Sequence, residues 1–139
     1  MCSCVGNLSC YSITPLLQAS DVAHTMQHWH IYRKWNERLF CECYKAYKEG
    51  RASKDPREYW YQGEIGFYDY YIIPLARKLQ DCGVFGVSSS EYLNYALQNR
   101  EEWELRGREV VEEMVANIQE QENLLAKSKS GDYNLPSPV

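Results

Sequence analysis

The chain has no run of about 18 consecutive apolar residues, the length a membrane-crossing helix needs, so no spanning helix is expected. No Lys or Arg precedes Arg33, which removes the basic start of a secretory signal. Neither Cys2-x-Cys4 nor Cys41-x-Cys43 has the paired Cys-x-x-Cys spacing that points to zinc. The six cysteines would suit a disulfide framework in a secreted chain, but without a signal they read as reduced thiols. Acylation of Cys2 and Cys4 is the lesser reading of that pair. No internal repeat and no strand-like alternation is found, so the expected class is all-α.

What is present is aromatic. Twelve Tyr and four Trp bury large areas while bringing O–H and N–H groups that want partners. Such a set suits packed helices with a polar edge, or one wall of a pocket. At 139 residues and 45% apolar, the chain has room and core material for one domain or part of one. The formal charge of −4 is unevenly spread, with residues 31–54 basic and 88–127 acidic. A basic stretch could track phosphates, but spread along an amphipathic helix it reads as a solvated face, and nucleic acid is not the expected partner.

Residues 1–13 carry no recognisable pattern. Leu16, Leu17 and Ala19 read as the last turns of a helix. Residues 28–49 predict a helix with Tyr32, Trp35, Leu39, Phe40, Cys43 and Tyr47 as one buried stripe, closed by Gly50. A polar loop at 51–55 leads to Asp55-Pro56, an N-cap followed by proline at the first helical position. Helical pattern then runs to about Cys82, with breaks or bends expected near Gly63 and Pro74. Gly83 and Gly86 end it, and Ser88, Ser89 and Ser90 offer caps for the next helix. From Glu91 to about Lys127 the pattern is helical and acidic, with a break expected at Gly107. The segment 128–139 reads as a loose, disordered tail.

Asp21, His24 and His28 stand at i, i+3 and i+7. On a continuous helix they would share a face and could hold a divalent metal; the plain alternative is a half-exposed polar surface. His30 lies off that face.

Two stretches carry a resemblance. Asp21-Val22-Ala23-His24, followed by Tyr32-Arg33-Lys34-Trp35, is one. Glu64-Ile65-Gly66-Phe67-Tyr68-Asp69, running on to Pro74-Leu75, is the other. Together they resemble the C-terminal part of the catalytic domain of class I 3′,5′-cyclic-nucleotide phosphodiesterases, over roughly residues 16–110. The wording around Asp21–Trp29 and Gly83–Gly86 is similar to the branch found in diatoms and related microbes. The resemblance implies a multi-helical, HD-type catalytic domain occupying 14–127, with 1–13 unassigned. It implies hydrolysis of cAMP or cGMP to the 5′-nucleotide in signal transduction, with two divalent metal ions (zinc with magnesium or manganese) in the complete domain. By the same resemblance Asp21 is a metal ligand, and His24, Leu39, Glu64 and Phe67 bind substrate. Phe67 would stack on the purine, Gly66 would keep the backbone close, and Asp69 would brace a neighbouring helix. His28 takes no family role.

Here the chain departs from the family pattern. Glu64 stands where the family has a purine-selective glutamine, and Gln62 lies on another face. An amide both donates and accepts, whereas an ionised carboxylate only accepts. That leans toward guanine, whose N1–H donates, unless burial keeps Glu64 protonated. The family's His-Asn-x-x-His and His-Asp motifs are absent, and the only histidines are His24, His28 and His30. One aspartate cannot hold two metals. The chain is therefore expected to carry no catalytic residue, to be inactive alone, and to need a missing N-terminal part of the catalytic domain as its partner. A cytoplasmic location follows, or the cytosolic side of a longer membrane-anchored protein. The alternative reading is a non-catalytic helical interaction module that kept this scaffold.

Overall fold

The computed structural model describes residues 13–83 and 89–130, and every regular element among them is helical. In chain order these are α1 (Ile13–Asp21), a 3₁₀ turn (Ala23–Met26), α2 (Trp29–Lys48), α3 (Pro56–Phe67), a π-helical turn (Tyr68–Ile72), α4 (Ile73–Cys82) and α5 (Ser89–Ser130). The all-α class holds. α5 is the backbone of the assembly, lying against α2, α3, α4, the 3₁₀ turn and the π turn.

The helix ends follow local chemistry. After α2, Gly50 takes φ 75°, a left-handed conformation that costs glycine little. Gly50 N–H donates to the Tyr47 carbonyl (3.0 Å) and Arg51 N–H to the Ala46 carbonyl (2.9 Å), the paired bonds of a Schellman motif. Asp55 caps α3 by accepting from Arg57 N–H at 2.9 Å, with Pro56 placed where a missing N–H costs nothing. Gly83, at φ 62°, closes α4. Gly86 and Ser88 lie outside the described residues, and α5 begins at Ser89.

Three expectations fail for physical reasons. α3 runs through Gly63 without a break, because one glycine costs a helix only about 1 kcal/mol and the packing around Trp60 outweighs that. α5 is continuous through Gly107, which is buried. A Cβ there would lie 2.5 Å from Trp103 Cε3 and 2.7 Å from Tyr61 Cδ2, so the glycine marks a close approach of α3 to α5. On α2 the buried row is Tyr32, Asn36, Phe40 and Tyr44, at strict four-residue steps. Ile31, Trp35 and Leu39 form a second row beside it that is 39%, 51% and 49% exposed. The apolar pattern of α2 thus merges two faces, only one of which is core. α5 also continues to Ser130, three residues into the expected tail; residues 131–139 lie outside the described residues.

The bend expected near Pro74 takes a specific form. Pro74 has no N–H, and its ring would strike the carbonyl four residues back in a straight α-helix. The chain widens instead into the π turn just before it, where Ile73 N–H reaches the Tyr68 carbonyl five residues back. The core is aromatic at its centre. Tyr32, Phe40, Tyr68 and Trp103 are fully or almost fully buried, with Ile72, Leu79 and Met114 around them.

Candidate functional site

Tyr32 is the hub. Its hydroxyl accepts from Trp103 Nε1 of α5 (2.9 Å) and from Asn36 Nδ2 one turn on (3.0 Å). Asn36 in turn accepts from Trp60 Nε1 of α3 at 3.0 Å. An indole and an amide NH₂ can only donate, so both lone pairs of the Tyr32 oxygen are taken. Its own proton has one destination, and Tyr32 donates it to Glu64 Oε2. Burial first, and the facing Glu64 carboxylate second, push the Tyr32 hydroxyl well above its usual range, so it stays protonated and donating.

Glu64 is half-buried at the start of the last turn of α3. Burial raises its carboxyl above the ordinary range, and the bonds from Tyr32 and Asn36 only partly oppose this. Because Oε2 always accepts from Tyr32, any proton Glu64 takes up sits on Oε1. Ionised, the group presents only acceptors; protonated, it presents one donor as well.

The 3₁₀ turn is pinned from two sides. Tyr68 Oη donates to the Thr25 carbonyl at 3.0 Å. Asn99 Nδ2 of α5 donates to the Thr25 carbonyl (3.0 Å) and the Gln27 carbonyl (2.8 Å). Thr25 Oγ1 closes the turn on the Val22 carbonyl at 2.6 Å. This holds the His24 ring parallel to Tyr32 (6.4 Å between centroids, 12° between planes) and 6.2 Å from Trp35. Burial lowers the His24 pKa, which keeps the ring neutral with one donor and one acceptor.

Tyr32 therefore joins His24 and Glu64. Asp21 is the exposed last residue of α1, just ahead of the same turn. Leu39 and Phe67 are placed by helix register: Leu39 sits one turn past Trp35, and Phe67 one turn past Glu64, stacked on Tyr71 at 5.3 Å and 9°. Phe67 keeps 36% of its surface exposed. Asp69 turns away from these groups and pairs with Arg100 of α5 at 2.8 and 3.2 Å, which lowers its pKa.

Asp21, His24 and His28 do not lie on one continuous helix. Asp21 ends α1, His24 is in the 3₁₀ turn, and His28 caps α2 with its Nδ1 2.8 Å from His30 Nδ1. No group of three or more His, Cys, Asp or Glu that could hold a metal comes together among the described residues. A metal centre made from these three side chains is therefore not formed.

Sequence reasoning missed that Tyr32, Asn36, Trp60 and Trp103 act as one network. The signal was the excess of Tyr and Trp with polar ends, but their partners are far apart in the chain.

A family model for 3′5′-cyclic nucleotide phosphodiesterase matches residues 7–85, more than half of the chain. The chain belongs to the 3′,5′-cyclic nucleotide phosphodiesterase family. The matched span holds Asp21, His24, Tyr32, Leu39, Glu64 and Phe67, begins within the segment the sequence left unassigned, and stops before α5. No curated protein and no solved structure matches the chain. Phosphodiesterase domains of this family bind divalent metals, and the residues described here do not by themselves fit such a centre, since Asp21 has no second and third ligand beside it.

Proposed function

We infer that this chain forms the base-binding wall of an enzyme that hydrolyses 3′,5′-cyclic nucleotides, cAMP or cGMP, to 5′-nucleotides in signal transduction. The Tyr32–Glu64 hydrogen bond carries this reading, because Tyr32 also stacks on His24 and so links one residue from each of the two stretches that resemble the family. In this reading Phe67 stacks on the purine and Leu39 borders it. Neutral His24 lines the pocket, and Asp21 offers one carboxylate toward a divalent metal. The remaining ligands belong to residues outside this chain, and these 139 residues alone do not turn over substrate.

Glu64 sets the purine preference. With Oε2 occupied by Tyr32, an ionised Oε1 accepts from guanine N1–H but meets the lone pair of adenine N1. The site favours cGMP while Glu64 is ionised. As pH falls through the raised pKa, Oε1 gains a proton and can serve adenine N1, so the preference narrows.

Nuclear magnetic resonance titration of the purified chain with cGMP and cAMP tests this. We expect cGMP to shift the Trp35 indole resonance more than cAMP at pH 8, with the difference shrinking in mild acid. Phe67→Ala should weaken binding about 5- to 150-fold, the equivalent of a lost base–aromatic stack of about 1–3 kcal/mol. Equal shifts by both nucleotides at every pH would remove the role given to Glu64. No shift by either would remove the base-binding wall. Hydrolysis by the chain with magnesium or manganese would contradict the missing ligands.

A further inference from the structure

The last part of α5 stands clear of the core. Ile118 is its last buried residue, 4% exposed, and every residue from 119 to 130 is exposed. At 1.5 Å per residue this is a free rod of about 18 Å. Leu124 and Leu125 sit on it, 59% and 61% exposed. Gln121, Leu124, Leu125 and Ser128 fall at i, i+3, i+4 and i+7 and so share one face.

The charges flanking that face are ordered. Glu120 and Glu122 precede the leucines, and Lys127 and Lys129 follow them. Among the described residues none of the four has an opposite charge three or four residues away, and none pairs with another side chain; Asp132, three residues past Lys129, lies outside the described residues. The pattern inverts sign about a point midway between Leu124 and Leu125. A two-fold axis through that point would run a second rod antiparallel to the first, with like flanks facing. Leu124 would then meet Leu125 of the other copy, and Gln121 its Ser128. Glu120 would lie beside the other copy's Lys127, and Glu122 beside its Lys129, each occurring twice. A parallel pairing in register would set Glu against Glu and Lys against Lys.

We propose that residues 119–130 of α5 form an antiparallel, two-fold dimer contact with the same segment of a second copy of this chain. The occupant is a second copy because the charge order is complementary to itself only in that arrangement. A groove of about 420 Å³ lies at the base of the rod, lined by Gln121 and by Lys34, Arg38, Cys41, Glu42 and Lys45 of α2, and it leaves room for the tip of the arriving helix. The contact is short, at the lower end of specific interfaces, so the dimer is reversible.

Sedimentation equilibrium of the full 139-residue chain over a concentration series tests this. The wild type should show a monomer–dimer equilibrium that weakens severalfold as salt rises from about 0.1 to 0.5 M. Leu124→Asp with Leu125→Asp should weaken it at least about tenfold with unchanged helicity, since both side chains are already exposed. Lys127→Glu with Lys129→Glu should be monomeric, and so should Glu120→Lys with Glu122→Lys, while an equimolar mixture of these two variants should dimerise. A strictly monomeric wild type overturns the proposal. So does a dimer that survives the leucine substitutions, which would place the contact on another face such as the Ile31–Trp35–Leu39 row. Association that strengthens with salt would overturn the antiparallel arrangement.

Discussion

One hydroxyl organises the candidate site. Tyr32 accepts two N–H donors and gives one proton, so its oxygen is fully committed. Tyr32→Phe would leave Trp103 Nε1 and one Asn36 proton without their acceptor and Glu64 without its donor. Trp103 Nε1 and that Asn36 proton are buried, and each costs about 1–3 kcal/mol when left unmet, so a stability loss of about 2–6 kcal/mol is expected in urea unfolding. Glu64 behaves in the opposite sense. Its folded pKa is raised above 4.5, so the native state binds more protons than the unfolded state between those values. Stability then falls as pH rises through that window, and at neutral pH the buried charge is a net cost. Glu64→Gln keeps an acceptor for Tyr32 and removes the charge. We expect a higher Tm than wild type at pH 7–8, with the gain vanishing in acid below the unfolded pKa. A gain independent of pH would show that charge is not its source.

At the scale of elements, the caps were legible and the packing was not. Asp55-Pro56 and Gly50 announce helix ends through chemistry that acts within a few residues, and the structure has them in those roles. Asp55→Ala should cost about 1 kcal/mol as a lost N-cap. The Arg57 side chain lowers the Asp55 pKa, so that contribution is present at neutral pH and fades as pH falls through the folded value. The buried row of α2 was blurred because Asn36 belongs to it and apolar periodicity cannot see an asparagine. Gly107 looked like a break because its partner, the Tyr61 ring, is remote in sequence. Two effects compete in Gly107→Ala. Helix propensity would favour alanine by about 1 kcal/mol, but a Cβ 2.5 to 2.9 Å from Trp103 and Tyr61 atoms overpacks the α3–α5 contact at a cost of about 1–3 kcal/mol. Net destabilisation is expected in thermal unfolding, and a stabilised variant would mean that the Tyr61 ring swings aside freely.

At the scale of the whole chain, the row Ile31–Trp35–Leu39, with the Phe67–Tyr71 stack, leaves large apolar groups open. Such exposure marks a surface made to be covered, which accords with a wall that meets substrate and other protein. An environment-sensitive apolar dye should bind there, and Trp35→Ser with Leu39→Ser should lower its emission without loss of helicity. The candidate residues could be picked out together because their types and spacing resemble the family's, and the structure links His24 and Glu64 among them through Tyr32. Their dependence on α5 was not, because Asn99 and Trp103 lie beyond the motifs they support. That dependence has a practical outcome. The family match stops at residue 85, but the 3₁₀ turn and Tyr32 take hydrogen bonds from Asn99 and Trp103. An expression boundary drawn at the edge of the match would strip donors from the carbonyls of Thr25 and Gln27 and uncover Tyr68 and Ile72 of the π turn, against which α5 lies. The smallest piece worth purifying ends no earlier than Ile118, and a shorter cut should partition into inclusion bodies.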